Sequence, residues 1–217
     1  MTDSPPTVAP TSTTGRTLHA PIAYDLLAWV YLRGRERKFR ERLLRLAELR
    51  PGEAVLDIGC GTGTLAIAAR EAVGATGRVA GLDASPEMLG RATRKARRAG
   101  AAVDFRNAAV ERMPFPDASF DVVLSTLMMH HLPRPIREQG AREVFRVLRP
   151  GGRVFVVDFG RADRPRRGVL AHLHRHGHVD PEEIAGGLTA AGLTVTRRGA
   201  VEPKSLWFIV ATRGISA

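Results

Sequence analysis

At 217 residues the chain fits one substantial domain rather than two with a linker, and no stretch reaches the roughly 20 apolar residues of a membrane span. Its 44% hydrophobic and 25% charged residues suit a soluble globular protein, and the lone Cys60 excludes an internal disulfide; with no secretory leader, the cytoplasm is the expected location. The net charge of +11 invites a nucleic-acid partner, yet three Lys among 33 basic residues leave 30 Arg, scattered along a chain only 6% aromatic, so nucleic acid is not the expected partner.

Residues 1–17 carry Thr, Ser and Pro with almost nothing to bury, the composition of a disordered tail. From Tyr24 the pattern turns helical: Leu26, Leu27, Val30 and Tyr31 recur on one face, and Phe39, Leu43, Leu44, Leu46 and Ala47 repeat it among charges. Pro51-Gly52 is expected to stop this helix, making 18–50 a helical cover ahead of a main domain over 51–217. Short apolar runs then read as strands at 54–58, 78–82, 102–105, 120–125 and 154–159. They alternate with helical patterns at 64–73, 86–99 and 134–148, the last ended by Pro150-Gly151-Gly152. Such alternation predicts a parallel sheet with helices on both faces. The C-terminal end differs. A helix over 181–191, capped by Asp180, is followed by strands at 193–198 and 206–212 with no helix between them, so these must pair antiparallel. The expected fold is α/β, a seven-stranded, mostly parallel sheet finished by an antiparallel hairpin.

The sequence Val55-Leu56-Asp57-Ile58-Gly59-Cys60-Gly61-Thr62-Gly63 sets a Gly-rich turn between a buried strand and a helix. Glycines there allow positive φ and a close approach by a ligand, and the helix that follows points its free N–H groups at the turn. The dinucleotide fingerprint G-x-G-x-x-G fails at its sixth position, which is Thr64, and no Gly-Lys-Ser/Thr makes a phosphate loop. Asp83, 20 residues after Gly63, ends the next strand, where a carboxylate can accept both hydroxyls of a ribose. An acid for ribose without a phosphate signature points to a nucleoside ligand lacking phosphates.

These residues resemble a known family. The stretch 55–63 is similar to motif I of the class I S-adenosylmethionine-dependent methyltransferases, and Leu82-Asp83-Ala84-Ser85-Pro86-Glu87-Met88-Leu89 to their second motif. Met113-Pro114-Phe115 with Ser119-Phe120-Asp121-Val122-Val123 resembles the third and fourth, and His130-His131-Leu132 and Arg146-Val147-Leu148-Arg149-Pro150-Gly151-Gly152 match as well. The likeness runs from about Tyr24 to Arg213 and is nearest to the small-molecule, quinone and lipid methyltransferases. It implies a Rossmann-like fold, S-adenosyl-L-methionine as cofactor and a small-molecule, quinone or lipid-like acceptor. The implied cofactor-binding set is Asp57, Gly59, Cys60, Gly61, Gly63, Asp83, Ala84, Met88, Ala109, Val110 and Ser125. Asp57 would orient the amino-acid end, the glycines would make room for it, and Asp83 would hold the ribose. Ala84 and Met88 would flank the adenine, whose edge Ala109 and Val110 would meet. The family usually has Asp where Ala109 stands, so a hydrogen bond to adenine worth about 1 kcal/mol is missing.

A sulfonium methyl is already electrophilic, so alignment supplies most of the rate, and a general base is needed only for a protonated acceptor. His130 and His131, after the fourth strand, are the candidate bases, although the family often uses this pair to start a helix. Tyr24, in a helix resembling the family's active-site cover, is a further candidate. His172, His174, His176 and His178 cluster in a segment corresponding to the variable substrate cover. No Cys or paired carboxylate completes a metal site with them, so no metal is expected. The competing readings are a methyltransferase of RNA or protein, and a non-catalytic protein that binds S-adenosylmethionine. Ser125-Thr126-Leu127-Met128 stands where amino-methylating nucleic-acid enzymes carry Asn/Asp-Pro-Pro-Tyr/Phe, which disfavours the nucleic-acid branch. The failed fingerprint disfavours a nicotinamide oxidoreductase.

Overall fold

A strand flanked by parallel neighbours and covered on both faces needs an unbroken apolar run rather than alternation. Strand β1 (Ala54–Ile58) is such a run, buried at all five positions. In the computed structural model, which describes residues 35–160, 179–201 and 206–215, it lies between two parallel neighbours inside one seven-stranded sheet. The other elements are α1 (Glu36–Leu46), α2 (Thr64–Val73), β2 (Arg78–Asp83), α3 (Pro86–Arg98), β3 (Val103–Asn107) and β4 (Phe120–Thr126). They continue with α4 (Arg134–Val147), β5 (Leu148–Phe159), α5 (Pro181–Ala190), β6 (Leu193–Val201) and β7 (Leu206–Arg213). The strand order is β3-β2-β1-β4-β5-β7-β6. The first five strands pair in parallel, and β7 runs antiparallel to both β5 and β6. The expected sheet and its C-terminal hairpin are therefore present.

Alternate side chains of the central strands build two core layers. Leu56, Ile58, Val123, Val156, Trp207 and Ile209 pack with Val144 and Val147 of α4 and Ile184 and Leu188 of α5. Val55, Val122, Leu124, Phe155 and Val210 pack on the other face with Leu43 and Leu44 of α1 and Leu65 and Ala69 of α2. The strand order reverses between β1 and β4. In open parallel sheets, the carboxyl ends at such a reversal form a crevice where ligands bind.

Two boundaries differ from the sequence reading. Helix α1 ends before Pro51-Gly52, because Glu48 takes a left-handed conformation (φ 54) and Leu49 donates its N–H to the Leu44 carbonyl at 3.2 Å. This is a Schellman closure, normally built on Gly. Arg153 from β5 holds the reversal in place, donating to the Ala47 carbonyl at 2.7 Å and pairing with Glu53 at 2.8 Å. Strand β5 begins at Leu148, earlier than the expected 154. Leu148 already pairs with Phe120, and the register then shifts so that Arg153 lies opposite Val122. Gly151 (φ 80) lies within that irregular stretch.

Much of the positive charge is spent inside the fold. Arg146 pairs with Glu143 and Asp117 and donates to the Met113 and Phe115 carbonyls. Arg213 donates to the Phe145 and Leu148 carbonyls and covers the Phe145 ring at 4.4 Å. Among the described residues no helix is long and apolar enough to cross a membrane. The expected tail at 1–17 lies outside the described residues, as does the part of the 18–50 cover before Arg35.

The Arg153–Glu53 pair is only 14% exposed on either side, so removing one partner leaves a half-buried charge and two carbonyls without donors. Arg153→Ala should therefore cost about 2 kcal/mol and lower the Tm by roughly 4–8 °C. Thermal denaturation beside Arg94→Ala, an exposed residue, checks this. Equal melting of the two variants would show that the clamp contributes nothing.

Candidate active site

The end of β1 is tied to the end of β2 by backbone bonds that only a glycine-rich turn permits. Cys60 donates its N–H to the Leu82 carbonyl at 3.0 Å, and Gly61 donates its N–H to Asp83 Oδ2 at 2.8 Å. Gly59, Gly61 and Gly63 all have positive φ, at 64, 53 and 74. At Gly59 and Gly63 the space that a missing Cβ leaves is taken by the protein itself, which corrects one expectation. A Cβ on Gly59 would lie 2.2 Å from Met128 Cγ, and one on Gly63 would lie 2.8 Å from both Ala92 and Phe105. At these two positions glycine makes room for neighbouring side chains; φ and packing demand it whether or not a ligand is bound.

Acids gather at this turn. Asp57 is 2% exposed, and its Oδ2 has no hydrogen-bond partner among the described residues. Burial first, then the charge of Asp83, push the Asp57 carboxyl up to about 8, with the Ala66 N–H pulling the other way. Asp83 is raised by its own burial, against the N–H groups of Ser85, Gly61 and Ala84. Burial and the same two carboxylates push the Cys60 thiol well up. A pocket with surplus acid and an orphaned carboxylate oxygen is complementary to a cationic ligand. Asp83 Oδ1 accepts the Ser85 N–H at 2.9 Å, and each of its oxygens keeps a lone pair for a further donor. Lys95 of α3 donates to Thr62 Oγ at 3.0 Å and also to Thr64, bracing the turn from behind.

The remaining expected residues lie near this turn to differing degrees. Ala108 donates its N–H to the Asp83 carbonyl, which sets Ala109 and Val110 beside β2; both are buried, and Val110 faces Gly140 of α4. Ala84 is half-buried, whereas Met88 is 2% exposed on the inner face of α3, where its N–H donates to the Ser85 hydroxyl that caps the helix. Ser125 is fully buried beside Ile58 of β1, and its hydroxyl has no partner among the described residues. Tyr24 and the histidines at 172–178 lie outside the described residues. Among the described residues, no cluster of His, Cys, Asp and Glu is arranged to hold a metal ion.

Beyond β4 the chain turns sharply. Leu127 takes a left-handed conformation (φ 55), strained for a residue with a Cβ, while its N–H donates to the Val157 carbonyl at 2.8 Å. This turn lays Met128 over Gly59 and leads into a short 3₁₀ turn, Met129–His131. His130 Nδ1 is 2.6 Å from Asp158 Oδ1 on β5, and the carboxylate is fully buried. The sequence reading missed Asp158, Lys95 and Met128. The signal for Asp158 is an acid closing an otherwise apolar strand, Val154-Phe155-Val156-Val157-Asp158.

The comparisons with known proteins agree with this geometry. Residues 55–152 match a methyltransferase domain family. The chain is 36% identical over 175 residues to a demethylmenaquinone methyltransferase of Thermus thermophilus, covering 80% of this chain and 76% of that one. It is 35% identical over 151 residues to the ubiquinone/menaquinone biosynthesis C-methyltransferase UbiE of Bdellovibrio bacteriovorus, covering 70% of this chain but only 63% of that relative's length. Among solved structures, a SAM-dependent methyltransferase from Aquifex aeolicus superposes with a TM-score of 0.66 at 25% identity, over 80% of this chain and 88% of that one.

Asp57 gives the free protein a distinctive response to pH. The folded chain keeps a proton on Asp57 that the unfolded chain releases above its ordinary value of 3.8, so this group's contribution to stability is whole below that value. It is lost as the pH rises through about 8. Asp57→Asn should remove this dependence, so that raising the pH from about 5 to about 8 lowers the Tm of the variant less than that of the parent. Parallel pH–stability curves would show that Asp57 is not held protonated.

Proposed function

The chain belongs to the class I S-adenosylmethionine-dependent methyltransferases, in their quinone-methyltransferase branch, and from that premise we propose that it moves a methyl group from S-adenosylmethionine to a small quinone-type acceptor. The observation that carries the proposal is the acid-rich turn at residues 59–63, where the partnerless oxygen of buried Asp57 sits near Asp83. The donor molecule brings an ammonium and a sulfonium, which this surplus of acid complements, and ribose hydroxyls, which Asp83 can accept. In this reading Asp57 orients the amino-acid end, and Gly59, Cys60, Gly61 and Gly63 form its bed. Ala84, Met88, Ala109 and Val110 bound the adenine, and the orphaned Ser125 hydroxyl lies at the methionine end.

A quinone-type acceptor is supported by the relatives, whose names specify ubiquinone, menaquinone and demethylmenaquinone methylation. Cytoplasmic work on such a molecule is consistent with the absence of a membrane-crossing helix among the described residues. Nucleic acid is disfavoured because many arginines are occupied in holding carbonyls and carboxylates of the fold.

Two measurements test this function. Incubation with methyl-labelled S-adenosylmethionine and a reduced prenylated naphthoquinone should transfer label to the quinone, read by mass spectrometry. Asp83→Ala should weaken S-adenosylmethionine binding by tenfold or more, about 1.4 kcal/mol. Unchanged affinity would remove Asp83 from the ribose site, and failure of every quinol tried would remove the acceptor class.

A further inference from the structure

The turn after β4 and the end of β5 form a second unit beside the donor turn. Asp158 is fully buried, and all of its described hydrogen bonds come from the same short stretch of structure. Its Oδ1 accepts from His130 Nδ1 at 2.6 Å and from the Phe159 N–H at 2.7 Å. Its Oδ2 accepts from the His130 backbone N–H at 3.2 Å. No Lys or Arg pairs with it among the described residues; its one side-chain partner is the imidazole. A buried carboxylate in this setting fixes the tautomer of the histidine, because an acceptor at Nδ1 demands the proton there. Nε2 is then left with its lone pair, and no described residue is bonded to it.

Other contacts hold the ring in one orientation. His131 lies against it at 3.9 Å between centroids, and Phe159 meets it edge-on at 5.3 Å. The His130 side chain is 9% exposed, enclosed but not sealed. Its position is tied to the donor site through Met128, two residues earlier, which lies against Gly59. A carboxylate, an imidazole of fixed tautomer and an open Nε2 beside a cofactor turn are the parts of a general base.

We propose that His130, positioned by Asp158, is the proton acceptor of the reaction, taking the proton of a ring hydroxyl on the reduced quinone-type acceptor named above. This rests on the methyltransferase reading above. The hydroxyl proton passes to His130 Nε2, and Asp158 stabilises the imidazolium that forms. The electron pair released on oxygen either bonds to the methyl carbon or is relayed through the ring to a ring carbon that does so. The carbon–sulfur bond breaks with its electrons remaining on sulfur, and the sulfonium becomes a neutral thioether. With attack from carbon, the ring loses its C–H proton to become aromatic again and the oxygen regains a proton. Either route releases one proton per methyl transferred. An oxidised quinone has no hydroxyl to give up and is not a substrate in this scheme.

Asp158→Asn separates this role from a merely structural one. The amide can still accept from the backbone N–H groups, but where it presents its NH₂ to Nδ1 it reverses the tautomer and places a proton on Nε2. With a reduced prenylated naphthoquinone as acceptor, kcat should fall by about a hundredfold or more in both Asp158→Asn and His130→Gln. Affinity for S-adenosylmethionine, measured by calorimetry, should stay within about twofold. The acid limb of the kcat/KM–pH profile should disappear in His130→Gln, and added imidazole should restore part of the rate to His130→Ala. Normal kcat in folded His130→Gln that binds the donor would overturn the proposal, as would a loss in Asp158→Asn that merely tracks a lowered Tm and weakened donor binding. Transfer to the oxidised quinone at the same rate as to the quinol would also overturn the proton transfer to His130. Absence of donor binding in the parent protein would instead overturn the methyltransferase reading itself.

Discussion

The hydrogen bond from the Gly61 N–H to the Asp83 carboxylate, 2.8 Å long, is the constraint on which the rest of the site depends. It joins the turn leaving β1 to the end of β2, and it forms only because the turn runs through positive φ at three glycines. The same turn packs against Met128, Ala92 and Phe105, so strand ends, helix α3 and the segment after β4 are all fixed relative to one another. Lys95 braces it from α3. Two acids end up close together and largely dry, with no internal cation paired to Asp57 among the described residues. Held this way, Asp57 keeps its proton in the free protein, and a cationic ligand would favour its release.

The site has two halves, meeting where the strand order reverses. The donor half is made by β1, β2 and the loops that follow them. The proposed acceptor half lies at β4 and β5, which pair in parallel and bring Asp158 against His130. Strain at Leu127 lies at the junction between the halves, and the surrounding core is packed tightly enough to hold it. In the proposed reading, residues at the ends of β1 and β2 hold the donor, and residues beyond β4 and β5 meet the acceptor.

The fold was largely legible because its signals are local. Strands with continuous apolar runs, helices with Pro or Ser at their starts, and a final pair of strands with no helix between them lead directly to the observed sheet. The errors arose where distant residues override local punctuation. Helix α1 ends at a left-handed Glu48 clamped by Arg153, more than 100 residues away in sequence, rather than at the Pro-Gly that follows. The glycine turn was legible as a motif, but two of its glycines face protein side chains from α3, β3 and the turn after β4, which no spacing rule reveals. His130 was legible as a candidate and Asp158 was not, since their pairing spans 28 residues and depends on the register of β4 against β5. The high arginine content reads as a basic surface in sequence; in the structure many of these residues act as donors to backbone carbonyls, work that a planar guanidinium with five N–H groups does well.

The turn between β1 and α2, with Asp57 and Asp83, is the proposed site for S-adenosylmethionine. Isothermal titration calorimetry of the full chain tests it most directly. One S-adenosylmethionine should bind saturably per chain, displaced by S-adenosylhomocysteine and unaffected by NAD. Heat with NAD and none with S-adenosylmethionine would contradict it.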